Sequence, residues 1–370
     1  MAQDMELAGL QTHLQQTGAK WQAGVTSISA LPPQQRRIRL GAVPPKGQPT
    51  LQEREQAAQA KHAAAQAPAG GAPGAVAAYP ASFNWTDVNG SNYITAIEDQ
   101  GNCGSCVAFS TTATVEATFQ VQRGNPNLGP DLSEAQLFYC VAASEGYNCE
   151  SGWWPDNALD GYKNNGIADA ACFPYTAGDQ ACNLCADWQS RAKKITGWHK
   201  ITSTADMKTW LSTRWPLSTC FSVYQDFYYY TSGIYTQHST VYEGGHCVSV
   251  VGYDDHSGCW ICKNSWGTGF GEHGFFQIGY GQCGIDAEMW AVEGIVETMW
   301  FNNVYIGGLW TIDQDFNAYA WIDGIGWRKI ANDTDDIFYD MLNQLILAKT
   351  AGRPCNIYEN QGIISQIYVL

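Results

Sequence analysis

The chain of 370 residues lacks any apolar run near the roughly 18 residues that a membrane-spanning helix needs. Charged residues make up only 15% of it, and the formal net charge is -15 at pH 7. An excess of acidic groups disfavours binding to nucleic acids and to anionic membrane surfaces. We therefore expect neither a membrane span nor a nucleic-acid partner. The length allows two or three domains, each with its own core.

A secretory signal is also missing from the start of the sequence, because Met1 to Leu10 has neither a basic region nor a continuous apolar region. The 13 cysteines point the other way, since disulfides persist in oxidising compartments. We give the cysteines more weight and expect a secreted, extracellular protein, or one from another oxidising compartment.

A glycine-broken loop, Gln100-Gly101-Asn102-Cys103-Gly104-Ser105, runs directly into a segment with helical periodicity that begins at Cys106. The apolar spacing and a Gly-Asn-Pro stop predict a helix from Cys106 to about Gln122. A thiol in the first turn of a helix has its pKa lowered by unpaired N–H groups and the macrodipole, and the thiolate is the nucleophilic form. Cys106 is therefore a candidate nucleophile.

The Cys103-Gly-Ser-Cys106 spacing also fits a redox dithiol or half of a zinc site. No thioredoxin-like βαβ pattern surrounds it. The other close pairs, Cys182 with Cys185 and Cys259 with Cys262, have separations that fit no zinc ribbon or finger. We expect no metal and no other cofactor.

Two later segments supply the partners that a cysteine nucleophile needs. Gly244-Gly245-His246 opens a predicted strand that ends in Val251-Gly252-Tyr253, and Lys263-Asn264-Ser265-Trp266-Gly267 follows it. Both segments, together with the loop before Cys106, resemble the papain-like cysteine proteases (peptidase family C1) in sequence, order and separation.

The resemblance implies a role for five residues. Cys106 would be the nucleophile and His246 the base, while Asn264 would orient the imidazole and Trp266 would shield that hydrogen bond. The side-chain amide of Gln100 and the backbone N–H of Cys106 would form the oxyanion hole. The implied fold is α+β, with a helical lobe, a β-barrel-like lobe and the active-site cleft between them.

Four residues are candidates for substrate binding by the same resemblance. Cys149-Glu150-Ser151-Gly152 takes the place of the family's Cys-Asn-Gly-Gly, whose glycine backbone pairs with substrate. Of these family residues after the cysteine, only the last glycine is retained, as Gly152. Trp153 and Trp154 would line the wall there, with core packing as the equal alternative. Glu288 would lie at the bottom of the S2 subsite, as in cathepsin B, and accept Arg at P2, with a solvated surface carboxylate as the alternative. The chain has no adjacent His-His pair, so an occluding loop is not supported and we expect an endopeptidase.

The resemblance also implies two disulfides, Cys103 with Cys149 and Cys140 with Cys182. The eight remaining cysteines apart from Cys106 allow 105 pairings. Cys247 and Cys262 take positions that are apolar in the family, and we expect them to be free thiols.

Composition and the family resemblance together predict that the chain is divided into four segments. Residues 1–40 contain Trp21-Gln22-Ala23-Gly24, similar to the short inhibitory propeptides of cathepsin B-like enzymes, which lie backwards through the cleft; an accessory segment is the alternative. Residues 41–78 have no Phe, Tyr or Trp, which predicts a flexible linker, at most transiently helical in 51–65, with activation cleavage between Lys46 and Tyr79. Residues 79–295 would be the catalytic domain and 296–370 a small α+β module. In that module we favour core packing over a binding face for its four tryptophans, Trp300, Trp310, Trp321 and Trp327.

The sequence therefore predicts a cysteine endopeptidase made as a zymogen, which acts on polypeptides and is inhibited by its own propeptide as a monomer. Two alternatives stay open. One is a catalytically silent papain-like binding or adhesion protein, which the intact catalytic positions disfavour. The other is a Cys-His transferase or amidase, which the Lys263 to Gly267 segment disfavours.

Overall fold

The computed structural model describes residues 7–66, 79–296, 298–311, 317–331, 334–360 and 363–370. The chain forms two compact units, Met1–Ile295 and Val296–Leu370. Both units contain helices and strands, which confirms the predicted α+β class. No helix in the described ranges is long and apolar enough to cross a membrane.

The first unit combines a helical half with a large sheet. Its helices are α1 (Leu7–Thr17), α2 (Pro33–Arg37), α3 (Leu51–Gln66), α4 (Cys106–Gln122), α5 (Pro155–Asn164), α6 (Trp188–Arg191) and α7 (Thr204–Thr213), with a π-helix at Gln136–Ala142 and 3-10 helices at Gln225–Tyr229 and Gln282–Gly284. Its strands are β1 (Trp21–Ala23), β2 (Ser82–Asn84), β3 (Ile195–Ile201), β4 (Leu217–Tyr224), β5 (Tyr230–Tyr235), β6 (Tyr242–Asp254), β7 (Cys259–Lys263), β8 (Phe275–Gly279) and β9 (Met289–Ile295). They form a nine-stranded sheet in the order β1-β5-β8-β7-β6-β4-β9-β3, with β2 paired to β6.

Helix α4 begins at Cys106 and ends at Gln122, as the periodicity predicts. Nearly all of its residues are buried, because it packs between α5 on one side and strands β6 and β9 on another. A helix buried on all sides belongs to a core rather than a surface. Cys106 and Trp266 belong to two different hydrophobic clusters of the first unit.

The segment that follows residue 40 is ordered up to Gln66, which corrects our expectation of a flexible linker. Helix α3 starts with a capping box: the Thr50 N–H donates to Glu53 Oε2 at 2.8 Å, and the Glu53 N–H donates to Thr50 Oγ1 at 3.2 Å. Leu51 and Ala58 are buried, and α3 packs on strand β4 and the 3-10 helix Gln282–Gly284. Tertiary packing thus stabilises a helix that composition alone disfavours. The rest of the predicted linker, 67–78, lies outside the described residues.

Four disulfides lie in the first unit. Cys103 pairs with Cys149 and Cys140 with Cys182, as the resemblance implies, and Cys172 pairs with Cys185. The fourth joins Cys220 to Cys247, so the expectation that Cys247 is a free thiol is wrong. These two residues lie directly opposite each other on the antiparallel strands β4 and β6, where their β-carbons are close enough to be bridged. Cys262 is a free, buried thiol.

In the described residues of the second unit, a six-stranded sheet is accompanied by one helix. Its strands are β10 (Thr298–Val304), β11 (Ile306–Thr311), β12 (Ala318–Ile322), β13 (Gly326–Ile330), β14 (Cys355–Asn360) and β15 (Ile363–Val369), in the order β10-β14-β15-β13-β12-β11. Helix α8 (Asp335–Ala351) packs on the sheet, over buried residues such as Ala320 and Ile322.

The tryptophans of the second unit correct a further expectation. Trp310, Trp321 and Trp327 are exposed rather than buried in a core. Along β12 the side chains alternate between the two faces of the sheet, so Ala318 and Ala320 are buried whereas Trp321 is exposed. The side chain of Trp300 lies outside the described residues.

Candidate active site

Cys106 occupies the first turn of α4 and is completely buried. The loop before it is fixed by the Cys103–Cys149 disulfide and by a hydrogen bond of 2.9 Å from the Gly104 N–H to the Cys149 carbonyl oxygen. Ser105 Oγ, just before the helix, forms a 2.8 Å hydrogen bond with the Tyr175 hydroxyl. The sulfur atom therefore has a fixed position at the positive end of the helix.

His246 and Asn264 come from neighbouring strands and form the hydrogen bond that the resemblance implies. His246 lies within β6, and Asn264 follows the end of the adjacent β7. The distance from His246 Nε2 to Asn264 Oδ1 is 2.7 Å. Because an amide oxygen only accepts, Nε2 carries the proton of the neutral imidazole, and the Nδ1 lone pair stays available. Trp266 stacks on the imidazole with 4.5 Å between the ring centroids and so covers this hydrogen bond.

Gln100 is held at both ends of its side chain. Its backbone N–H donates to the Ser265 carbonyl oxygen at 2.9 Å, and Ser265 Oγ donates to Gln100 Oε1 at 2.8 Å. The Nε2 atom therefore points away from Ser265 and donates to the carbonyl oxygens of Arg39 and Cys103, at 2.9 and 2.8 Å. An amide held in this way is a fixed hydrogen-bond donor.

The residues around Gly41 run through this site as an extended segment. The Ala42 N–H donates to the Gly245 carbonyl oxygen at 3.0 Å, and the Trp153 N–H donates to the Gly41 carbonyl oxygen at 2.8 Å. On the next residue, the Val43 N–H donates to the Trp153 carbonyl oxygen at 3.0 Å. The segment that covers the cleft thus continues beyond residue 40, where we expected the inhibitory segment to end.

Glycines allow the covering segment to approach the site closely. A Cβ atom at Gly41 would lie 1.8 Å from the Gly104 carbonyl oxygen. A Cβ atom at Gly152 would lie 2.3 Å from the Gly41 carbonyl oxygen, and the φ angle of Gly152 is +67°. Both positions therefore exclude any residue with a side chain.

Burial shifts the pKa values of both candidate residues, Cys106 and His246, toward their uncharged forms. Burial raises the pKa of the Cys106 thiol to about 11, against the opposing effect of nearby backbone N–H groups, of which those of Cys247 and Gly41 are the largest. Burial lowers the pKa of His246 to about 4, although the hydrogen bond with Asn264 favours the charged imidazole. Desolvation of this kind disfavours an ion pair between thiolate and imidazolium.

The two predicted wall tryptophans have different environments. Trp153 contributes its backbone to the cleft, whereas its buried indole donates to Glu145 Oε2 at 2.9 Å within the core. The ring of Trp154 lies 5.1 Å from the guanidinium of Arg54, on helix α3. Arg54 also forms an ion pair with Glu288. The predicted S2 carboxylate is therefore not a solvated surface group; it binds an arginine of the chain's own N-terminal region.

Sequence reasoning missed several residues of the covered site. Arg39, Gly41, Ala42 and Arg54 were assigned to the end of the propeptide or to a linker, although Val43-Pro44-Pro45 indicates an extended segment after Gly41. The Cys220–Cys247 disulfide, next to His246, had no recognisable signal.

A buried cysteine nucleophile candidate, a paired histidine and asparagine, and an N-terminal segment across the cleft define a cysteine protease fold in a zymogen-like form. The sequence profile of the papain family cysteine proteases matches residues 79–292, and the chain belongs to this family.

Individual relatives agree with this assignment. The Cathepsin L-like proteinase of Fasciola hepatica is 36% identical over 216 residues, which cover 56% of this chain and 64% of that protein. The Cathepsin B-like CP2 of Giardia intestinalis is 36% identical over 228 residues, 57% of this chain and 73% of that protein. The chain spans less than two thirds of the first of these, and only 59% of the Thiol protease aleurain of Arabidopsis thaliana, which is 35% identical over 219 residues and matches 56% of this chain.

Among solved structures, proCathepsin B S9 from Trypanosoma congolense has the same fold. The TM-score is 0.61 at 23% sequence identity, with 79% of this chain and 98% of that chain covered.

Proposed function

We propose that this chain is the zymogen of a cysteine endopeptidase and that Cys106, His246 and Asn264 carry the reaction. The observation that carries the proposal is the 2.7 Å hydrogen bond between His246 and Asn264 beside a helix N-terminal cysteine, in a cleft covered by the segment around Gly41. An inhibitory propeptide acts by covering the cleft, and the segment around Gly41 lies where such a propeptide would. No two histidines are adjacent in the sequence, which supports internal cleavage rather than the exopeptidase action of an occluding loop.

The reaction is acyl transfer. After the covering segment leaves, water re-enters the site, and the Cys106 proton passes to Nδ1 of His246. The thiolate attacks a peptide carbonyl carbon, and the resulting oxyanion accepts hydrogen bonds from Gln100 Nε2 and the Cys106 N–H. His246 then protonates the leaving amine as the C–N bond breaks and a thioester remains. Water, deprotonated by His246, hydrolyses the thioester and restores the thiol.

The roles of the other predicted site residues follow from their positions. The backbone of Trp153 pairs with substrate where its N–H and carbonyl oxygen now pair with Gly41 and Val43. Gly152, which lacks a side chain, lets the substrate backbone approach as closely as Gly41 does now. Glu288 accepts an arginine side chain at P2, since it already binds the guanidinium of Arg54. Trp154 stacks on the guanidinium of the P2 arginine, as it now contacts the guanidinium of Arg54.

The setting of the enzyme is proposed from its sequence and its disulfides. Four disulfides fit an oxidising compartment, and we propose secretion. The partners are polypeptide substrates and the N-terminal segment itself, with the released enzyme a monomer. Activation cuts the chain between Lys46 and Tyr79.

The proposal is tested with the full chain incubated at acidic pH with a mild reductant. We expect loss of the region before Tyr79, seen by mass spectrometry, together with turnover of a fluorogenic Phe-Arg dipeptide. The Cys106→Ala variant should show neither. Absence of turnover by a wild-type chain that has lost residues 1–78 would contradict the proposal.

A further inference from the structure

The carboxylate of Glu288 is shared between two cations. One oxygen pairs with Arg54, and the other lies 3.7 Å from the Nζ of Lys200. Lys200 is closer to a second acid, since its Nζ lies 3.0 Å from Asp156 Oδ2. We call this cluster the Glu288 pocket and define it by five residues: Trp154, Asp156, Lys200, Glu288 and Trp290.

Two tryptophans frame the charges of the Glu288 pocket. The rings of Trp154 and Trp290 meet edge to face, 5.4 Å apart. The Lys200 ammonium lies 5.2 Å from the Trp290 ring. The indole of Trp290 also donates to Asp156 Oδ1 at 2.7 Å. Asp156 is therefore fixed by the same ring that supports the lysine, and it holds the ammonium on its own side of the pocket.

The pocket adjoins the cleft, because Trp154 directly follows Trp153, whose backbone pairs with Gly41 and Val43. Arg54 lies before Tyr79 and leaves with the N-terminal region when the proposed activation removes everything before Tyr79, whereas the five pocket residues all belong to the matched family region. Release of α3 therefore leaves two carboxylates and a single lysine. Lys200 lies closer to Asp156 than to Glu288. The lysine therefore neutralises Glu288 only in part, and the carboxylate can still attract an incoming cation.

We propose that Lys200 is a specificity-determining residue. The balance of its ammonium group between the carboxylates of Asp156 and Glu288 sets how strongly the enzyme prefers arginine at P2. The inference rests on the proposed function and deepens it. Lys200 acts through Glu288 rather than by contact with the scissile bond. The side chains of Lys200 and Asp156 are about one-third exposed, at 31% and 35%, and that of Glu288 is 13% exposed. Water screens such charges only in part, so each change should alter the preference measurably.

Two substitutions should shift the preference in opposite directions. Lys200→Met removes the competing cation and should raise the ratio of kcat/KM for Arg-Arg over Phe-Arg substrates by about three- to tenfold. Asp156→Asn keeps an oxygen for the Trp290 indole but releases the ammonium toward Glu288, so the same ratio should fall by a similar factor. Both effects should appear mainly in KM, because the contact is made equally in the ground state and the transition state.

Controls separate charge from structure. Lys200→Arg keeps the cation and should leave the ratio near the wild-type value. In a Glu288→Gln background, Lys200→Met should no longer raise it, since the coupled carboxylate is gone. Misfolding would lower the turnover of both substrates by the same factor and leave the ratio of their kcat/KM values unchanged.

The experiment uses full chains that have processed at acidic pH, with active sites titrated before the kinetics. Opposite shifts for Lys200→Met and Asp156→Asn support the inference. Normal Phe-Arg turnover with an unchanged ratio in both variants overturns the inference and leaves the proposed function intact. No turnover of either substrate by the processed wild-type protein overturns both.

Discussion

The side-chain amide of Gln100 donates a 2.9 Å hydrogen bond to the backbone carbonyl oxygen of Arg39. The donor proposed for the oxyanion is therefore occupied by a carbonyl group of the chain itself. Arg39 is fixed in turn, because its guanidinium pairs with Asp99 Oδ1 at 2.7 Å, one residue before Gln100. The N-terminal segment thus satisfies the hydrogen-bond donor that a substrate would use, while Gly41 covers the thiol.

The oxyanion role predicts that Gln100→Ala lowers kcat of the processed enzyme by about 10²- to 10³-fold, with a much smaller change in KM. The variant is processed in trans by immobilised wild-type protein and assayed by steady-state kinetics. Gln120→Ala is the matched control, because Gln120 is also buried and makes hydrogen bonds to Tyr93 and Gly129 within the same unit. A similar fall in kcat for both variants would assign the effect to lost stability.

The contacts of Arg54 predict that it holds the N-terminal region in place. Arg54→Ala removes the ion pair with Glu288 and the contact with Trp154, and should speed processing of the full chain by about three- to tenfold. Arg191→Ala is the control, since it breaks the partly exposed pair with Asp169. The measurement is the half-time of processing by gel electrophoresis. Equal half-times for Arg54→Ala and the wild type would contradict the prediction.

Glu116 makes stability depend on pH. Burial raises its pKa from 4.5 to about 7, mainly by desolvation, although Lys263 and a 2.7 Å hydrogen bond from Thr95 oppose the shift. Between these two pKa values the folded state therefore holds a proton that the unfolded state releases. This stabilising contribution, on the order of 3 kcal/mol, is complete below pH 4.5 and is lost as the pH rises through about 7.

The prediction for Glu116 is checked by urea unfolding in the Cys106→Ala background, which prevents self-digestion. The unfolding midpoint should fall between pH 4.5 and pH 7.5, and Glu116→Gln should reduce that fall. Glu134, whose pKa burial also raises, accounts for part of the remainder. The same pH dependence with and without Glu116→Gln would show that this carboxyl is not responsible.

Much of the site was predictable because its residues lie within continuous motifs. The position of Cys106 at a helix start follows from local periodicity, and the order of the three motifs indicates that distant segments meet. The cover was not predictable in the same way. The capping box of Thr50 and Glu53 can be recognised in the sequence. The burial of Leu51, however, depends on a surface built from residues far along the chain.

Pairing across the sheet was equally inaccessible from the sequence. Cys220 and Cys247 meet because β4 and β6 are neighbours in one register, and eight cysteines leave 105 pairings open until that register is known. The exposure of Trp321 likewise depends on which face of β12 helix α8 covers.

We propose that the segment around Gly41 keeps the Cys106 thiol covered and uncharged until processing. The most direct test is the rate of alkylation of Cys106 by iodoacetamide at pH 7.5, measured by mass spectrometry on the intact chain and on the processed enzyme. Cys262, a buried free thiol, is the internal control. We predict at least a roughly 100-fold faster reaction at Cys106 after processing, because uncovering removes the desolvation that raises its pKa. Equal rates before and after processing would contradict the account.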